Sequence, residues 1–141
     1  MPQQFHVGRL IDHLHLRVAD LDASKRFYRA VFTALGRAEA MQEDPKHFAL
    51  DELWVDQRDP GGPVSHVHLA FQAADPAMVQ AFHQAALAAG GTDHGGPGER
   101  HYHPGYYAAF VLDPDGNNIE AVFHGPNVRS APSVVVSAVV P

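Results

Sequence analysis

The sequence predicts an α+β protein: two tandem βαβββ modules whose strands form an open, curled, mixed β-sheet barrel. Three observations carry this. A His-x-His-Leu strand signature occurs twice, as His13-Leu14-His15-Leu16 and His66-Val67-His68-Leu69. Each copy leads to a helical segment with Phe-x-x-Ala at the same place, Phe27-Tyr28-Arg29-Ala30 and Phe82-His83-Gln84-Ala85. Both segments close on Ala-x-Gly, at Ala34-Leu35-Gly36 and Ala89-Gly90-Gly91. The copies lie 53 residues apart at the strand and 55 at the helix, so the connecting turn differs by two. One such match arises easily by chance; three in the same order do not.

Residues 1–9 form a lead-in, residues 10–124 the domain, with repeats at about 10–60 and 65–124, and residues 125–141 a tail. The first strand of each module is expected at 11–18 and 66–73. Asp22 and Asp75 offer N-caps, and Pro76 sits where a first helical turn tolerates proline. Phe27, Ala30, Val31, Ala34 and Leu35 follow the spacing of a buried helix face, as do Met78, Val79, Phe82, Ala85, Ala86 and Ala89. Gly36 and Gly90 are natural stops. Short strands follow near 37–43, 46–50 and 53–57, then the linker Arg58-Asp59-Pro60-Gly61-Gly62-Pro63. In the second module strands are expected at 106–112 and 117–123, joined by Asp113-Pro114-Asp115-Gly116-Asn117, which has hairpin turn chemistry. A strand near 92–94 is weakly signalled. In the tail, Ser133-Val134-Val135-Val136-Ser137-Ala138-Val139-Val140 is β-prone and apolar, suited to docking as an extra strand on the domain or on a partner chain.

At 141 residues the chain suits one domain that buries a sizeable core without disulfides, and it has no cysteine. Thiolate metal sites and cysteine nucleophiles are thereby excluded. The start lacks a basic stretch followed by an apolar run, and no apolar run nears the roughly 18 residues of a membrane span, so a cytoplasmic protein is expected, without membrane partners. The formal charge is −6 with no lysine/arginine cluster, which argues against nucleic acid. Gly-x-Ser-x-Gly elbows, phosphate loops and dinucleotide fingerprints are missing too. Eleven histidines stand out against ten lysines and arginines together. Imidazole is both a common metal ligand and a general base near neutral pH, so position must decide.

Strand side chains alternate, so His13 and His15 share one face, as do His66 and His68. A curled sheet would bring both faces towards a common interior. Glu120 sits among apolar neighbours in Asn117-Asn118-Ile119-Glu120-Ala121-Val122-Phe123. A carboxylate buried there costs several kcal/mol unless a cation meets it, an arginine or a metal. Two imidazoles and one carboxylate make a three-ligand set with open positions, favoured by Fe(II) and acceptable to Mn, Ni, Co or Zn.

These segments resemble the vicinal-oxygen-chelate superfamily, which includes glyoxalase I, extradiol dioxygenases, fosfomycin-resistance transferases and bleomycin-binding proteins. The resembling parts are Ile11-Asp12-His13-Leu14-His15-Leu16-Arg17-Val18-Ala19-Asp20-Leu21 with the Phe27-Tyr28 helix, Ser65-His66-Val67-His68-Leu69, and Phe110-Val111-Leu112-Asp113-Pro114-Asp115-Gly116-Asn117-Asn118-Ile119-Glu120. The resemblance implies one divalent metal ion (Fe2+, Mn2+, Ni2+ or Zn2+) on His13, His66 and Glu120. His15 and His68 then become partners behind the ligands, a shifted ligand pair or hydrogen-bonded core groups. Glyoxalase I carries a further acid or amide ligand on the fourth strand. Superposing Asn118–Val122 on Glu52–Asp56 places Trp54 there, which cannot bind metal, so the pattern is closer to a dioxygenase.

The loop Glu99-Arg100-His101-Tyr102-His103-Pro104-Gly105-Tyr106-Tyr107 is a candidate pocket wall. His103 and Glu120 are the candidate catalytic acid–base groups. Trp54, His15, His68, His101 and Tyr107 are candidate pocket residues, while His6, His47, His83, His94 and His124 are expected to face solvent. The expected function is a metal-dependent lyase/isomerase or ring-cleaving dioxygenase acting on a small oxygen-bearing substrate. The alternative is a metal-free small-molecule (drug) binding protein. The resemblance also implies a homodimer, with each site within one chain or built from two.

Overall fold

The computed structural model describes residues 4–139; Met1, Pro2 and Gln3 of the lead-in and Val140 and Pro141 of the tail lie outside the described residues. The elements run β1 (Gln4–Val7), β2 (Leu14–Val18), α1 (Leu21–Ala34), β3 (Gln42–Asp44), β4 (His47–Leu50), β5 (Leu53–Gln57), β6 (His68–Gln72), α2 (Pro76–Ala88), β7 (Thr92–Glu99), β8 (Tyr107–Leu112), β9 (Asn118–Phe123) and β10 (Val134–Ser137). Each module is thus βαβββ, with a single 3-10 turn at Ala38–Ala40 after the first helix.

Helix α1 begins two residues earlier than Asp22 implies. Asp20 is the cap, its side chain accepting from the Ala23 amide at 3.1 Å, and Asp22 falls in the first turn, where a negative charge suits the helix dipole. Helix α2 starts at Pro76 with Asp75 as cap, accepting from the Met78 amide at 2.8 Å. The two first strands are shorter than expected: His13 and His66 lie just outside β2 and β6. Conversely β7 is eight residues rather than three, with register shifts at Asp93/Gly95 and Gly95/Gly98. Glycine at 95, 96 and 98 erased the alternating pattern from which a strand is read.

The strands form two separate four-stranded sheets, ordered β2-β5-β4-β3 and β6-β9-β8-β7, and no closed barrel. In each, the edge strand pairs in parallel and the others antiparallel. The helices cover one face of each sheet and pack on each other. Phe27, Tyr28, Val31 and Phe32 of α1 meet Leu16, Val18, Phe48 and Val55, while Val79, Phe82 and Ala86 of α2 meet Ala109, Val111, Ile119 and Ala121, all inside one core. Gly91 marks the tightest point: a Cβ there would lie 2.4 Å from Val111 Cγ1 and 2.8 Å from Phe27 Cε1, so any side chain would force the modules apart.

The hairpin turn is anchored to the helix of the other module. Asp113 Oδ1 accepts from the Asp115 and Asn117 amides, each at 2.9 Å, and Oδ2 accepts from the Tyr28 hydroxyl at 2.5 Å. Burial, and then the Asp113 charge, push the Tyr28 phenol well above its ordinary range, so it stays a donor. The tail strand β10 does not join either large sheet. It pairs antiparallel with β1, a strand the lead-in did not announce, as an exposed two-stranded ribbon. Among the described residues no helix is long and apolar enough to cross a membrane.

Candidate metal centre

Each sheet keeps one face clear of the helices, and His15 and His47 of the first sheet and His68 of the second stand there. On the second sheet, Ile119 and Ala121 of β9 turn into the core, so Glu120 and Val122 point to the other side. Glu120 is only 2% exposed. Both its oxygens are occupied: His68 Nε2 lies 2.7 Å from Oε1, and the Tyr106 hydroxyl donates to Oε2. A carboxylate is acceptor-only, so His68 donates from Nε2. Burial, then the bond to Glu120, push the Tyr106 phenol up to about 12, which keeps its proton in place for that bond.

The first sheet repeats the arrangement. His15 Nε2 lies 2.7 Å from Asp56 Oδ1, and Arg17 Nε lies 3.3 Å from the same oxygen. Leu16 pairs with Val55 where Leu69 pairs with Ile119, so the counterpart of Glu120 is Asp56. This corrects the alignment that put Trp54 in that place. The β4–β5 turn is only Asp51–Glu52, whereas β8 and β9 are joined by Asp113–Asn117, and the sequence alignment slid along the strand by two residues. Trp54, 40% exposed, instead stacks on His47 with ring centroids 4.0 Å apart. That stack leaves His47 half-buried, not solvent-facing.

His13 is exposed before β2, its Nδ1 2.7 Å from Asp12 Oδ1. His66 is exposed before β6 and lines a cavity of about 390 Å³ with Val67, His68, His94, Leu112, Gly116 and Asn118. The histidine that reaches Glu120 within the chain is therefore His68, because the diagonal across β6/β9 spans two register steps and His66 would need four. Among the described residues no three His, Asp or Glu side chains converge tightly enough to hold a metal ion within one chain.

In the loop before β8, His103 Nδ1 lies 2.9 Å from the Pro104 carbonyl and its Nε2 2.8 Å from His124 Nδ1. With both rings neutral, only one tautomer pair satisfies these contacts: His103 donates from Nδ1 and accepts at Nε2 from His124. His124 Nε2 is then the free base. Tyr106 packs edge-on against both rings. His101 remains exposed beside Tyr102. Tyr107 lies on the helix side of the sheet, where Gln80 donates to its hydroxyl at 3.0 Å. The pocket-facing tyrosine is Tyr106, its neighbour; the boundary of β8 had to be known before the alternation could be applied. His83, also half-buried, pairs with Asp93 across α2 and β7 at 2.9 Å. His6, His94 and His124 are exposed.

Comparison with known proteins gives a consistent grouping. A profile of the Glyoxalase/Bleomycin resistance protein/Dioxygenase superfamily matches residues 10–121. No curated protein matches the sequence. Among solved structures, a glyoxalase/bleomycin resistance protein from Albidiferax ferrireducens T118 is 31% identical with a TM-score of 0.69, over 80% of this chain and 98% of that one. A lactoylglutathione lyase from Agrobacterium tumefaciens is 25% identical with a TM-score of 0.57, over 81% and 92%. An oxidase, ChaP-H1, is 28% identical with a TM-score of 0.55, over 79% and 93%.

Proposed function

The chain belongs to the glyoxalase/bleomycin resistance protein/dioxygenase superfamily, and from that premise we propose that it is a divalent-metal-dependent enzyme acting on a small oxygen-bearing substrate, of the lyase/isomerase or ring-cleaving dioxygenase type. The observation that carries this reading is Glu120: a carboxylate 2% exposed on the helix-free face of a sheet, met by a histidine and a phenol and, among the described residues, by no lysine or arginine. Such a group is costly to bury for structure alone and suits a cation.

The donor chemistry fits Fe2+, Mn2+, Ni2+ or Zn2+, since neutral imidazoles and carboxylates suit all four. Glu120 stands on the second sheet with His66 just before its edge strand, and His13 just before the edge strand of the first. Asp56 supplies the oxygen donor there that an alignment with Trp54 denied. Because β2 and β6 each leave their outer edge unpaired, in separate sheets, among the described residues, we assign the complete ligand set to a homodimer, the first sheet of one chain meeting the second sheet of another. When bound, the ion supplies a Lewis acid for two adjacent substrate oxygens. Tyr106 orients the Glu120 carboxylate, His68 holds its other oxygen, and His103 fixes the tautomer of His124, so that the pair can take or return a substrate proton.

One observation favours a second reading, a metal-free binding protein for small molecules: both Glu120 oxygens are already satisfied within the chain. Elemental analysis of anaerobically prepared protein separates the two. The metalloenzyme reading expects about one equivalent per chain in the parent and none in a His66→Ala, Glu120→Ala double variant that keeps its circular dichroism. No metal in either, after exposure to all four ions, leaves the binding-protein reading.

A further inference from the structure

The clear face of the second sheet holds one cation that makes no ion pair among the described residues. Arg100, half-buried, lies over the Phe110 ring with its guanidinium carbon 5.3 Å from the centroid. Phe110 is the cross-strand partner of Glu120 and packs against His68 at 5.9 Å between ring centroids. The guanidinium donates to the Gly96 carbonyl at 2.7 Å and the Glu99 carbonyl at 3.3 Å. Of a guanidinium's five N–H groups these use two, so most of its donor fork is uncommitted.

The strand beside it is shaped to receive this group. A Cβ at Gly95 would stand 3.3 Å from Arg100 Nη2, and one at Gly98 would stand 3.2 Å from Nη1. The bulges that lengthen β7 fall on the same two glycines. Side chains there would press on the guanidinium, so the glycine run leaves it room. The cavity lined by His66, His68, His94 and Asn118 shares its His68 wall with Phe110, the ring that Arg100 covers. Among the described residues Arg17, Arg29 and Arg37 pair with carboxylates; Arg100 does not, and what sets it apart from the other unpaired arginines is its place over Phe110, beside His68 and Glu120.

We infer that Arg100 and the histidine-lined cavity beside it form a recognition site for a carboxylate on the substrate, so that the substrate class is an anionic molecule with adjacent oxygens. This rests on the proposed function only for where the remainder of the substrate lies. A planar carboxylate matches the guanidinium fork in two parallel hydrogen bonds, and the flat Phe110 ring beneath fixes the plane of the fork.

The test uses catechol and 3,4-dihydroxybenzoate, which share vicinal oxygens and differ by one carboxylate, with acetate and benzoate as simple carboxylates. Binding to the full chain is followed by calorimetry and by the NMR signal of the Arg100 side-chain Nε–H, for the parent, Arg100→Ala and Arg100→Lys. The expected result is a saturable Arg100 response to carboxylates. Affinity for 3,4-dihydroxybenzoate should exceed that for catechol by about tenfold or more, as a charge-assisted pair warrants. Arg100→Ala should abolish the preference and Arg100→Lys recover only part of it. Absence of a saturable response to all three carboxylates, or the same preference in Arg100→Ala, overturns the inference. Metal content, measured on the same samples, reports separately: an Arg100-dependent preference without bound metal refutes the metalloenzyme reading and leaves this one standing.

Discussion

His68 and Glu120 face each other diagonally across two parallel strands, Nε2 2.7 Å from Oε1, and His15 and Asp56 repeat the relation in the other module at the same distance. Both diagonals span two register steps, His68 opposite Asn118 and His15 opposite Trp54. The duplication therefore extends beyond the fold to a histidine–carboxylate pair on each clear sheet face. The pairs differ in environment, since Glu120 is closed over while Asp56 remains partly open and shares Arg17.

Removing the Glu120 carboxylate should destabilise the protein as well as its metal site. In Glu120→Ala the half-buried Tyr106 hydroxyl loses its acceptor, at a cost of about 1–3 kcal/mol, whereas His68, 53% exposed, can turn its Nε2–H to water. Thermal unfolding should show a fall in Tm of several degrees, and metal uptake should vanish. Unchanged stability would mean that the Tyr106 hydroxyl finds another partner.

Tyr106→Phe tests the same network through pH. The phenol is raised from 10.0 to about 12 in the folded chain, so the native state keeps a proton that the unfolded state gives up first. Its contribution is whole below pH 10 and is lost as pH rises towards 12. Chemical denaturation at a series of pH values should therefore show the parent losing stability over that window, with the phenylalanine variant lower at neutral pH and flatter above 10.

Tyr28→Phe and Asp113→Ala probe the link between the first helix and the second module's hairpin. The first removes one buried hydrogen bond and should cost about 1 kcal/mol, whereas the second leaves the Tyr28 hydroxyl and two amides without an acceptor and should cost several times more. Equal losses in Tm would contradict the role given to Asp113 as the centre of the turn.

The fold was legible because three signals recur in both modules: paired histidines on the first strand, phenylalanine and alanine on the helix, and glycine at its end. Periodicity identified the helices and the alternating strands. It signalled β7 only weakly, near 92–94, because the glycines that follow carry no pattern, and it did not see β1, whose partner lies more than a hundred residues away. The site was legible as residue types and faces. That His68 rather than His66 meets Glu120 within the chain turns on where β6 begins, and that Tyr106 rather than Tyr107 faces Glu120 turns on a one-residue step, which moves a side chain to the opposite face. Asp56 was hidden by a turn shortened in one module. Arg100 was legible only as a member of a candidate pocket wall, since its place over Phe110 depends on the register of β7 against β8.

The register also separates two neighbours on β5. Asp56→Ala should weaken metal binding in calorimetric titration by about 10- to 100-fold, the usual penalty for losing a ligand's partner or a weak ligand. Trp54→Ala should leave metal affinity within about twofold, since an indole donates nothing to a cation's coordination. The reverse order would restore the alignment that paired Trp54 with Glu120.

The most direct measurement of the central claim is metal content after mixing two defective chains. His13→Ala and Glu120→Ala protein are each prepared alone, then unfolded together, refolded and equilibrated with the preferred ion. If the ligands come from the first sheet of one chain and the second sheet of another, each variant alone binds no metal. The mixed dimer then recovers about one ion per two chains, because one of its two sites keeps all three ligands. No recovery from the mixture, while the parent binds metal under the same conditions, would contradict a centre shared between two copies.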